Sequence, residues 1–430
     1  MFNNIMLEIK FLALAIFVIT YIFLIIFYHK KSLIVWAAVL LILLFGILDP
    51  QHALKAINLN VILLYFGMLF ISELFLYSKM PDYLAEIFAS KATKVWGVML
   101  IICGITGILS IFLENVAVVL LMAPIALSVA VKCNINPVPL FIGMALSSNL
   151  QGAATLIGDP PSMLLAGFAK MSFNDFFFTG GKPGIFFAVQ IAFVAALIVL
   201  YFFFKKNKEN MPELSKEKHI TIIPSVLIII LIGLLIYSSS IETGIDYLNG
   251  LICFILGIFA CIWYVFHKRR QENLKTFFKK MDWDTGIFLI GIFILVESIS
   301  ANGILDYVSS FILSVGHGNS LLIFSIIVGV SVLLSAFIDN VPFLLAMLPV
   351  VQTVTLTLGA NPFLFYFALL IGASVGGNIT PIGASANIVA MGIMKKRGYT
   401  VKFMEFVKIG FTFSIIAVLF ACTFLWLVYN

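Results

Sequence analysis

The sequence predicts an all-α polytopic membrane protein built as an inverted structural repeat. Its composition is 62% hydrophobic and only 11% charged, whereas soluble domains average about 25% charged residues. Its apolar segments run to about 20 residues, the length at which a helix crosses ~30 Å of hydrocarbon. The second half of the chain also repeats the first, including its polar interruptions. We therefore expect about five transmembrane helices in each copy, together with two re-entrant helical hairpins and two broken helices.

The first repeat is predicted to cover residues 1–204. The tract 96–131 is too short for two spans with a loop and too long for one, so it predicts a re-entrant hairpin with its tip at Glu114-Asn115. Residues 139–170 form a span broken by the sequence NLQGAATLIGDPPS at 149–162. Continuous spans are predicted at 11–28, 33–49, 60–78 and 185–204.

The second repeat is predicted to cover residues 220–430, after a charged cytoplasmic linker at 205–219, KKNKENMPELSKEKH. Its hairpin covers 320–358 with the tip at Asp339-Asn340, and its broken helix covers 363–396 and contains SVGGNITPIGASAN. Continuous spans are predicted at 220–238, 246–266, 284–301 and 408–429.

A shift of 225 residues aligns 111–170 with 336–395 without a gap and gives 15 identities in 60 positions. Unrelated stretches of this composition give roughly 5. The identities fall on unusual residues, so the halves are a duplication; the pairs include Asn115 with Asn340, Gly152 with Gly377, Thr155 with Thr380, Gly158 with Gly383, and Pro124 with Pro349.

An odd number of crossings in each copy turns the second copy upside down. Cytoplasmic loops collect Lys and Arg, which are dense in HKKS, 79–94, 205–219, 267–282 and 395–408 and absent from SSSIETGID. We therefore expect a multi-pass protein of the inner cell membrane with both termini outside.

Paired broken helices in inverted repeats are typical of secondary transporters, whose site lies where the copies meet. Unpaired backbone is tolerated at bilayer depth only where it is buried in protein or lines a wet cavity. Glycines let that backbone approach a ligand closely, and amide and hydroxyl side chains supply neutral ligands. The uncharged candidate ion-binding or substrate-binding residues are Asn115, Asn149, Gly152, Thr155, Gly158, Asn340, Asn378, Thr380, Gly383, Ser385 and Asn387.

Three carboxylates complete the candidate site. Glu114 and Asp339 hold equivalent positions at the hairpin tips, and Asp159 lies in the first broken span opposite Ala384. A charge at bilayer depth costs at least about 2.5 kcal/mol, so each is a candidate carrier of the coupling ion, H⁺ or Na⁺. The alternative role for each is a helix N-cap.

Four segments, FLENVAVVLLMAP, NLQGAATLIGDPPS, FIDNVPFLLAMLP and GGNITPIGASANIVAMGI, resemble the signatures of the ion transporter superfamily. The likeness is to the branch of arsenite permeases, sodium/proton antiporters and P-type proteins, which is related to citrate and dicarboxylate transporters. It spans nearly the whole chain. It implies homodimers, a scaffold domain, and a mobile transport domain that carries the hairpins and moves by elevator-like alternating access.

The chain departs from this family in ways that bear on the cargo. Dicarboxylate transporters of the family have Ser-Asn-Thr at the hairpin tips, whereas this chain has Glu-Asn-Val at 114–116 and Asp-Asn-Val at 339–341. Acidic tips repel a dianion, which favours a cation, a proton or a neutral hydroxide. The family's GDPPN reads GDPPS, and its Gly-Gly reads Gln151-Gly152.

The first hypothesis is proton-coupled export of arsenite, antimonite or a similar small inorganic species. The alternatives are a sodium/proton antiporter and a sodium-coupled anion or carboxylate transporter. An enzyme would leave the mirrored interruptions unexplained. We expect no cofactor, no metal centre and no nucleic-acid partner; a partner ATPase subunit stays open, because the chain has no GxxxxGK[ST] motif.

Overall fold

The computed structural model describes residues 2–27, 30–89, 92–210, 221–241, 244–267, 278–279 and 281–430. These residues are helical apart from loops, a 3₁₀ turn at Asn174–Phe176 and a short antiparallel hairpin of β1 (Phe178–Thr179) and β2 (Lys182–Pro183). The helices of the first half are α1 (Phe2–Ile26), α2 (Lys31–Leu44), α3 (Pro50–Ala56), α4 (Leu59–Tyr77), α5 (Met80–Ala89), α6 (Val95–Ser110), α7 (Asn115–Lys132), α8 (Val138–Gly152), α9 (Pro160–Ala169) and α10 (Ile185–Phe204).

The second half follows the same order. Its helices are α11 (Ile223–Ser238), α12 (Leu248–His267), α13 (Trp283–Ala301), α14 (Ile304–Gly316), α15 (Ser320–Ser335), α16 (Asn340–Leu358), α17 (Pro362–Gly376), α18 (Ser385–Lys396) and α19 (Phe403–Tyr429). The bounds of α6 and α15 differ by 225 residues at both ends, and those of α4 and α13 differ by 224. This correspondence is consistent with the predicted repeat.

Within the described residues, eight helices are long and apolar enough to cross a membrane. They are α1 over Glu8–Ile26, α4, α7, α10, α12, α13, α16 and α19. The all-helical membrane class is therefore confirmed. The second hairpin arms, α7 and α16, are in this group at 18 and 19 residues, so by length each could cross the bilayer alone.

Both predicted hairpins form as two helices joined by a tight turn. In the first, α6 ends at Ser110 and α7 begins at Asn115, while in the second α15 ends at Ser335 and α16 begins at Asn340. Glu114 and Asp339 stop the turns by capping the following helices. These helix bounds are consistent with the tips predicted at Glu114-Asn115 and Asp339-Asn340.

Both predicted broken spans are interrupted as well. In the first half, α8 ends at Gly152 and α9 begins at Pro160. Pro160 and Pro161 lack the N–H groups that would let an upstream helix continue through them, but they suit the first turn of a new helix. In the second half, α17 ends at Gly376 and α18 begins at Ser385. Residues 153–159 and 377–380 are buried despite being non-helical, as hydrocarbon depth requires.

The helices outside the hairpins pack closely where small residues meet. Gly67 of α4 lies against the main chain of Cys253 in α12, and Gly250 of α12 lies against the carbonyl of Asn60. Such small-residue contacts let membrane helices approach each other. The sequence analysis did not predict three helices: α3, α5 in the polar 79–94 stretch, and α14 in a stretch assigned to an outer loop. Residues 211–219 of the predicted linker, and residue 220 after it, lie outside the described part.

Candidate functional site

The two broken spans meet directly in the interior. Asn149 at the end of α8 donates through Nδ2 to Asn378 Oδ1 at 2.7 Å and to Asn387 Oδ1 at 3.0 Å. Asn378 Nδ2 in turn donates to the carbonyl of Leu146 at 3.1 Å. All three asparagines are buried, with 2% exposure or less. Residues 229 and 238 positions apart in the chain are therefore tied into one polar cluster.

Each interruption is held by the same pair of contacts in both halves. Thr155 Oγ1 donates to the carbonyl of Ile111, at the end of α6, at 2.5 Å, and Thr380 Oγ1 donates to the equivalent carbonyl of Ala336. Ser162 Oγ lies 3.2 Å from the carbonyl of Gly152. Its counterpart Asn387 donates through Nδ2 to the carbonyls of Gly377 at 2.9 Å and Thr380 at 3.0 Å. These side chains thus donate hydrogen bonds to backbone carbonyl groups near the helix breaks.

Two glycines are required by close approach of main chain. A methyl group at Gly158 would lie 2.3 Å from the carbonyl oxygen of Gly152, and one at Gly383 would lie 2.5 Å from that of Gly377. No real side-chain carbon sits that close. Each loop therefore folds back onto the end of its own preceding helix, and only glycine fits at the contact.

The first hairpin tip joins the cluster through Asn115. Ser110 Oγ donates to Asn115 Oδ1 at 2.8 Å, and Ser148 Oγ donates to the Asn115 carbonyl at 3.1 Å. Asn115 Nδ2 reaches Asn149 Oδ1 at 3.5 Å, and the amide also packs on Gly152. The sequence analysis missed Ser110 and Ser148. Extending the repeat alignment by one residue pairs Ser110 with Ser335, which bonds the Ala373 carbonyl, so the signal for Ser110 was present.

Asp159 is the one carboxylate of this cluster among the described residues. Its Oδ1 accepts from the N–H of Ser162 at 3.0 Å and from the Ser162 hydroxyl at 2.7 Å, so it caps α9. Its Oδ2 is buried and has no described donor in good hydrogen-bonding geometry, although the Asn115 amide lies close enough to interact with the carboxylate. A buried carboxylate oxygen without a donor is costly unless a proton or a cation is bound to it.

The hairpin-tip carboxylates lie elsewhere. Glu114 Oε2 accepts from the N–H of Ala117 at 2.9 Å, and Asp339 Oδ1 accepts from the N–H of Val341 at 3.1 Å. Both are half-buried helix N-caps, the alternative role considered for them from sequence. Asp339 and Ser385 line a cavity of about 270 Å³ together with Lys31 and Asp284.

The structure therefore brings most of the predicted site residues together in one place and leaves four of them outside it. One group makes the central contact of the broken spans: Asn115, Asn149, Gly152, Thr155, Gly158, Asp159, Asn378, Thr380, Gly383 and Asn387. Asp339 and Ser385 face the cavity beside it, Asn340 is buried at the start of α16, and Glu114 caps α7. In the central group the side-chain amides hydrogen-bond to one another. They leave no open volume between them, so the cavity lies beside this contact.

A pair of glutamines, one buried and one half-buried, fixes the end of α8. Gln151 and Gln190 exchange two amide hydrogen bonds, of 3.0 Å and 2.8 Å, and Gln151 is fully buried. Gly376 stands at the equivalent position of the second half and packs on the main chain of Val332 instead. The departure from Gly-Gly noted in the sequence thus replaces close packing with a side-chain pair.

Replacing one glutamine should cost more than replacing both. Gln190→Leu leaves the Gln151 amide buried without a partner, a loss of about 1–3 kcal/mol. The double variant Gln151→Leu/Gln190→Leu should recover about 1 kcal/mol of that loss. Thermal unfolding of the two single variants and the double variant measures the coupling; strictly additive effects would contradict the reciprocal pair.

The sequence profile of the citrate transporter family, CitMHS, matches residues 21–266 and 271–430. The chain belongs to this family. The family is one of transporters, which confirms that the protein is a membrane transporter and not an enzyme.

Relatives extend the likeness. An uncharacterized transporter of Mycobacterium tuberculosis strain H37Rv is 30% identical over 380 residues, covering 87% of each chain. The P protein of Homo sapiens is 25% identical over 446 residues, covering 85% of this chain and 53% of that protein. The resemblance to the P-type protein branch is thereby confirmed.

Two solved structures share the fold at low sequence identity. The YdaH transporter of Alcanivorax borkumensis superimposes with a TM-score of 0.58 at 12% identity, covering 88% of this chain and 89% of that one. MtrF of Neisseria gonorrhoeae gives a TM-score of 0.55 at 15% identity, covering 87% and 82%.

Proposed function

We propose that the protein is a secondary active transporter that works by alternating access and is coupled to a proton or sodium ion. Asp159 carries the proposal, because its Oδ2 is buried with no described donor in hydrogen-bonding geometry, while its Oδ1 is bonded to Ser162 in the first broken span. A proton or a monovalent cation bound there removes the cost of the bare charge. Movement of the site between the two faces of the membrane would then carry that charge with the cargo.

We further propose that the cargo is neutral or cationic, and arsenous acid is our first candidate. The side chains of the central cluster are amides and hydroxyls, with Asp159 as the charged member, and none of its described residues is Lys, Arg or His. Amides and hydroxyls hydrogen-bond a neutral trihydroxide well, whereas a citrate trianion would meet no positive side chain there. The direction of export is supported by MtrF, which is described as belonging to a class of antimetabolite efflux pumps.

A sodium/proton antiporter is the second candidate. It is favoured by the three carboxylates Asp159, Glu114 and Asp339, all held in or beside the broken spans and hairpin tips. An antiporter needs a carboxylate that binds either ion in turn, and no further substrate.

The wider organisation is part of the same proposal. The two inverted repeats, 1–204 and 220–430, would form a mobile transport domain from the hairpins and broken spans, moving in an elevator-like way against a scaffold of the remaining helices. We place the protein in the inner cell membrane as a homodimer with both termini outside. A partner ATPase is not needed for this mechanism.

Flux into proteoliposomes under an imposed pH gradient tests the proposal. The purified full chain is assayed with arsenite, sodium and citrate in parallel, against liposomes without protein. Arsenite movement driven by the gradient supports the first candidate, and proton movement with sodium alone supports the second. If citrate is transported while neither arsenite nor sodium responds to the pH gradient, both candidate functions are wrong.

The hairpin tips give a second check on coupling. Glu114→Gln and Asp339→Asn keep a hydrogen-bond acceptor for the helix cap, so we expect folded protein with an unchanged melting temperature to within a few degrees. Each should abolish the response of flux to the pH gradient, because the titrating charge is gone. Wild-type flux and pH response in both variants would remove these carboxylates from the mechanism.

A further inference from the structure

Two short segments at the ends of helices are strongly basic. One is residues 205–210, directly after α10, and the other is residues 395–408, which run from the end of α18 into the first turns of α19. The cations of the first segment are all exposed; they are Lys205, Lys206 and Lys208. Those of the second are exposed too; they are Lys395, Lys396, Arg397, Lys402 and Lys408. Against these eight cations the two segments contain two carboxylates, Glu209 and Glu405.

The packing of α10 against α19 places the two segments at the same end of the molecule. Lys182, just before α10 begins, lies with its Nζ 5.6 Å from the ring centroid of Tyr429, at the end of α19. The two helices therefore run antiparallel. The 20 residues of α10 rise by about 30 Å, which brings Lys205 to about the level of Lys408. We call residues 205–210 and 395–408 together the basic surface.

The length of α19 sets the depth of this surface in the membrane. The helix has 27 residues and rises by about 40 Å, whereas the hydrocarbon is about 30 Å thick. Residues 409–429 contain no charged residue and are long enough to cross the hydrocarbon by themselves. The excess length therefore falls in the first turns of α19, which lie at the level of the lipid headgroups.

Two apolar side chains stand out beside the cations at this level. Phe403 is 51% exposed and Met404 is 70% exposed, and both follow Lys402 directly. Apolar side chains next to cations are typical of helices whose apolar face enters the boundary between headgroups and acyl chains. A bilayer surface offers partners for both kinds of side chain, whereas a soluble anion offers a partner for the cations alone.

The positive charges of the basic surface are not neutralised within the described part of the protein. Among the described residues, none of the eight cations forms an ion pair with a carboxylate within 4 Å. Lys395 and Lys396 lie in the last turn of α18, where a cation favours the helix dipole. Lys402 is the N-cap residue of α19 and makes no side-chain capping bond, and a cation at that end is unfavourable for the helix. Helix stability therefore does not account for Lys402.

We propose that the basic surface binds the headgroups of anionic phospholipids at the face of the membrane. Lys and Arg form charge-assisted hydrogen bonds with phosphate oxygens. Each cation held near an anionic membrane surface strengthens binding about fivefold. Phe403 and Met404 add apolar contact with the upper part of the acyl chains. The surface joins segments from the two halves of the chain, so anionic lipid would hold the ends of α10, α18 and α19 at one depth.

Mixed micelles test the binding. The purified full chain in a nonionic detergent receives phosphatidylglycerol or, in parallel, phosphatidylcholine, and its melting temperature is followed as each lipid is added. A ligand of the native state raises the melting temperature according to its affinity. We expect a clear rise with phosphatidylglycerol and a much smaller one with phosphatidylcholine. The difference should shrink as NaCl is raised to about 0.5 M, because salt screens exposed charges.

Removing charge from the basic surface should weaken this response. The triple variant Lys395→Gln/Lys396→Gln/Arg397→Gln loses three exposed cations, so its apparent affinity for phosphatidylglycerol should fall about 100-fold. Arg397→Glu reverses a single exposed charge and serves if the triple variant fails to fold. It should weaken binding about 25-fold, since it changes the charge by two.

The opposite end of the molecule supplies a control with the same change of charge. Lys55, Lys170 and Lys182 are exposed; Lys55 and Lys170 line one cavity, and Lys182 precedes α10 at the end remote from Lys205. The triple variant Lys55→Gln/Lys170→Gln/Lys182→Gln should keep the wild-type response to phosphatidylglycerol. A general effect of net charge would instead weaken both triple variants equally.

The apolar pair separates a bilayer from a soluble anion. Phe403→Ser/Met404→Ser should weaken phosphatidylglycerol binding about tenfold and leave its dependence on NaCl unchanged. Glycerol 3-phosphate, a soluble phosphate of similar headgroup chemistry, should not reproduce the rise in melting temperature at the same concentration.

Four results would overturn the inference. The first is an equal response of the wild type to the two lipids. The second is a wild-type response to phosphatidylglycerol in both the Lys395/Lys396/Arg397 variant and Arg397→Glu. The third is an equal loss in the variant of Lys55, Lys170 and Lys182. The fourth is a rise with glycerol 3-phosphate that matches the rise with phosphatidylglycerol, which would indicate a site for soluble anions.

Discussion

Asparagine in place of Asp159 should lower gradient-driven flux by about 100-fold, the equivalent of about 3 kcal/mol of lost charge interaction. Asn is an equally good N-cap, and its Oδ1 can keep the bonds from the Ser162 N–H and hydroxyl. What is lost is the carboxylate oxygen that has no described donor. The measurement is proteoliposome flux with and without the imposed gradient.

Two variants control for that result. Asp159→Ala removes the cap as well and should lower stability by about 1 kcal/mol, so it separates capping from coupling. Asp246→Asn changes an exposed carboxylate that pairs with Lys170 at 3.5 Å and should leave flux unchanged. If Asp159→Asn transports and responds to pH like the wild type, the coupling ion does not bind at this residue.

Alanine at either loop glycine should damage the site severely. The methyl group of Gly158→Ala or Gly383→Ala would lie 2.3 or 2.5 Å from a main-chain carbonyl oxygen, and backbone cannot move aside as a flexible side chain can. We expect a loss of about 3 kcal/mol in stability and no measurable flux, because the loop can no longer fold back on its helix.

The chain offers matched controls for this prediction. Gly392 in α18 and Gly104 in α6 have no atom within 4 Å of the position of an added Cβ. Gly392→Ala and Gly104→Ala should therefore stabilise their helices by about 0.5–1 kcal/mol. Thermal unfolding of all four variants tests the contrast, and equal effects at the loop and helix positions would contradict the close approach.

The two polar regions have different consequences for mechanism. Asn149, Asn378 and Asn387 bond to one another, so a guest at the central contact must replace those bonds with its own. The cavity at Asp339 already has open volume, and it lies between the proposed scaffold helices and the second hairpin.

The sequence by itself determined the membrane class, the hairpins, the broken spans and most residues of the central cluster. These features depend on local sequence patterns, namely long apolar tracts and the polar residues that interrupt them. A Pro-Pro or Gly-rich interruption in an apolar tract indicates non-helical backbone that is buried in protein or lines a cavity, because lipid does not tolerate it. The repeat strengthens each such signal, because the same residue appears in both halves, as at Thr155 and Thr380.

Only the tertiary structure decided which of these residues meet. The bonds from Asn149 to Asn378 and Asn387 join positions more than 200 residues apart, and hydropathy carries no information about such pairing. The same holds for Lys31, which reads in sequence as an ordinary loop lysine of HKKS, and for Asp284, which reads as the first turn of a helix. Their shared cavity with Asp339 depends on how α2 and α13 pack against the second hairpin, and packing is a property of the assembled helices.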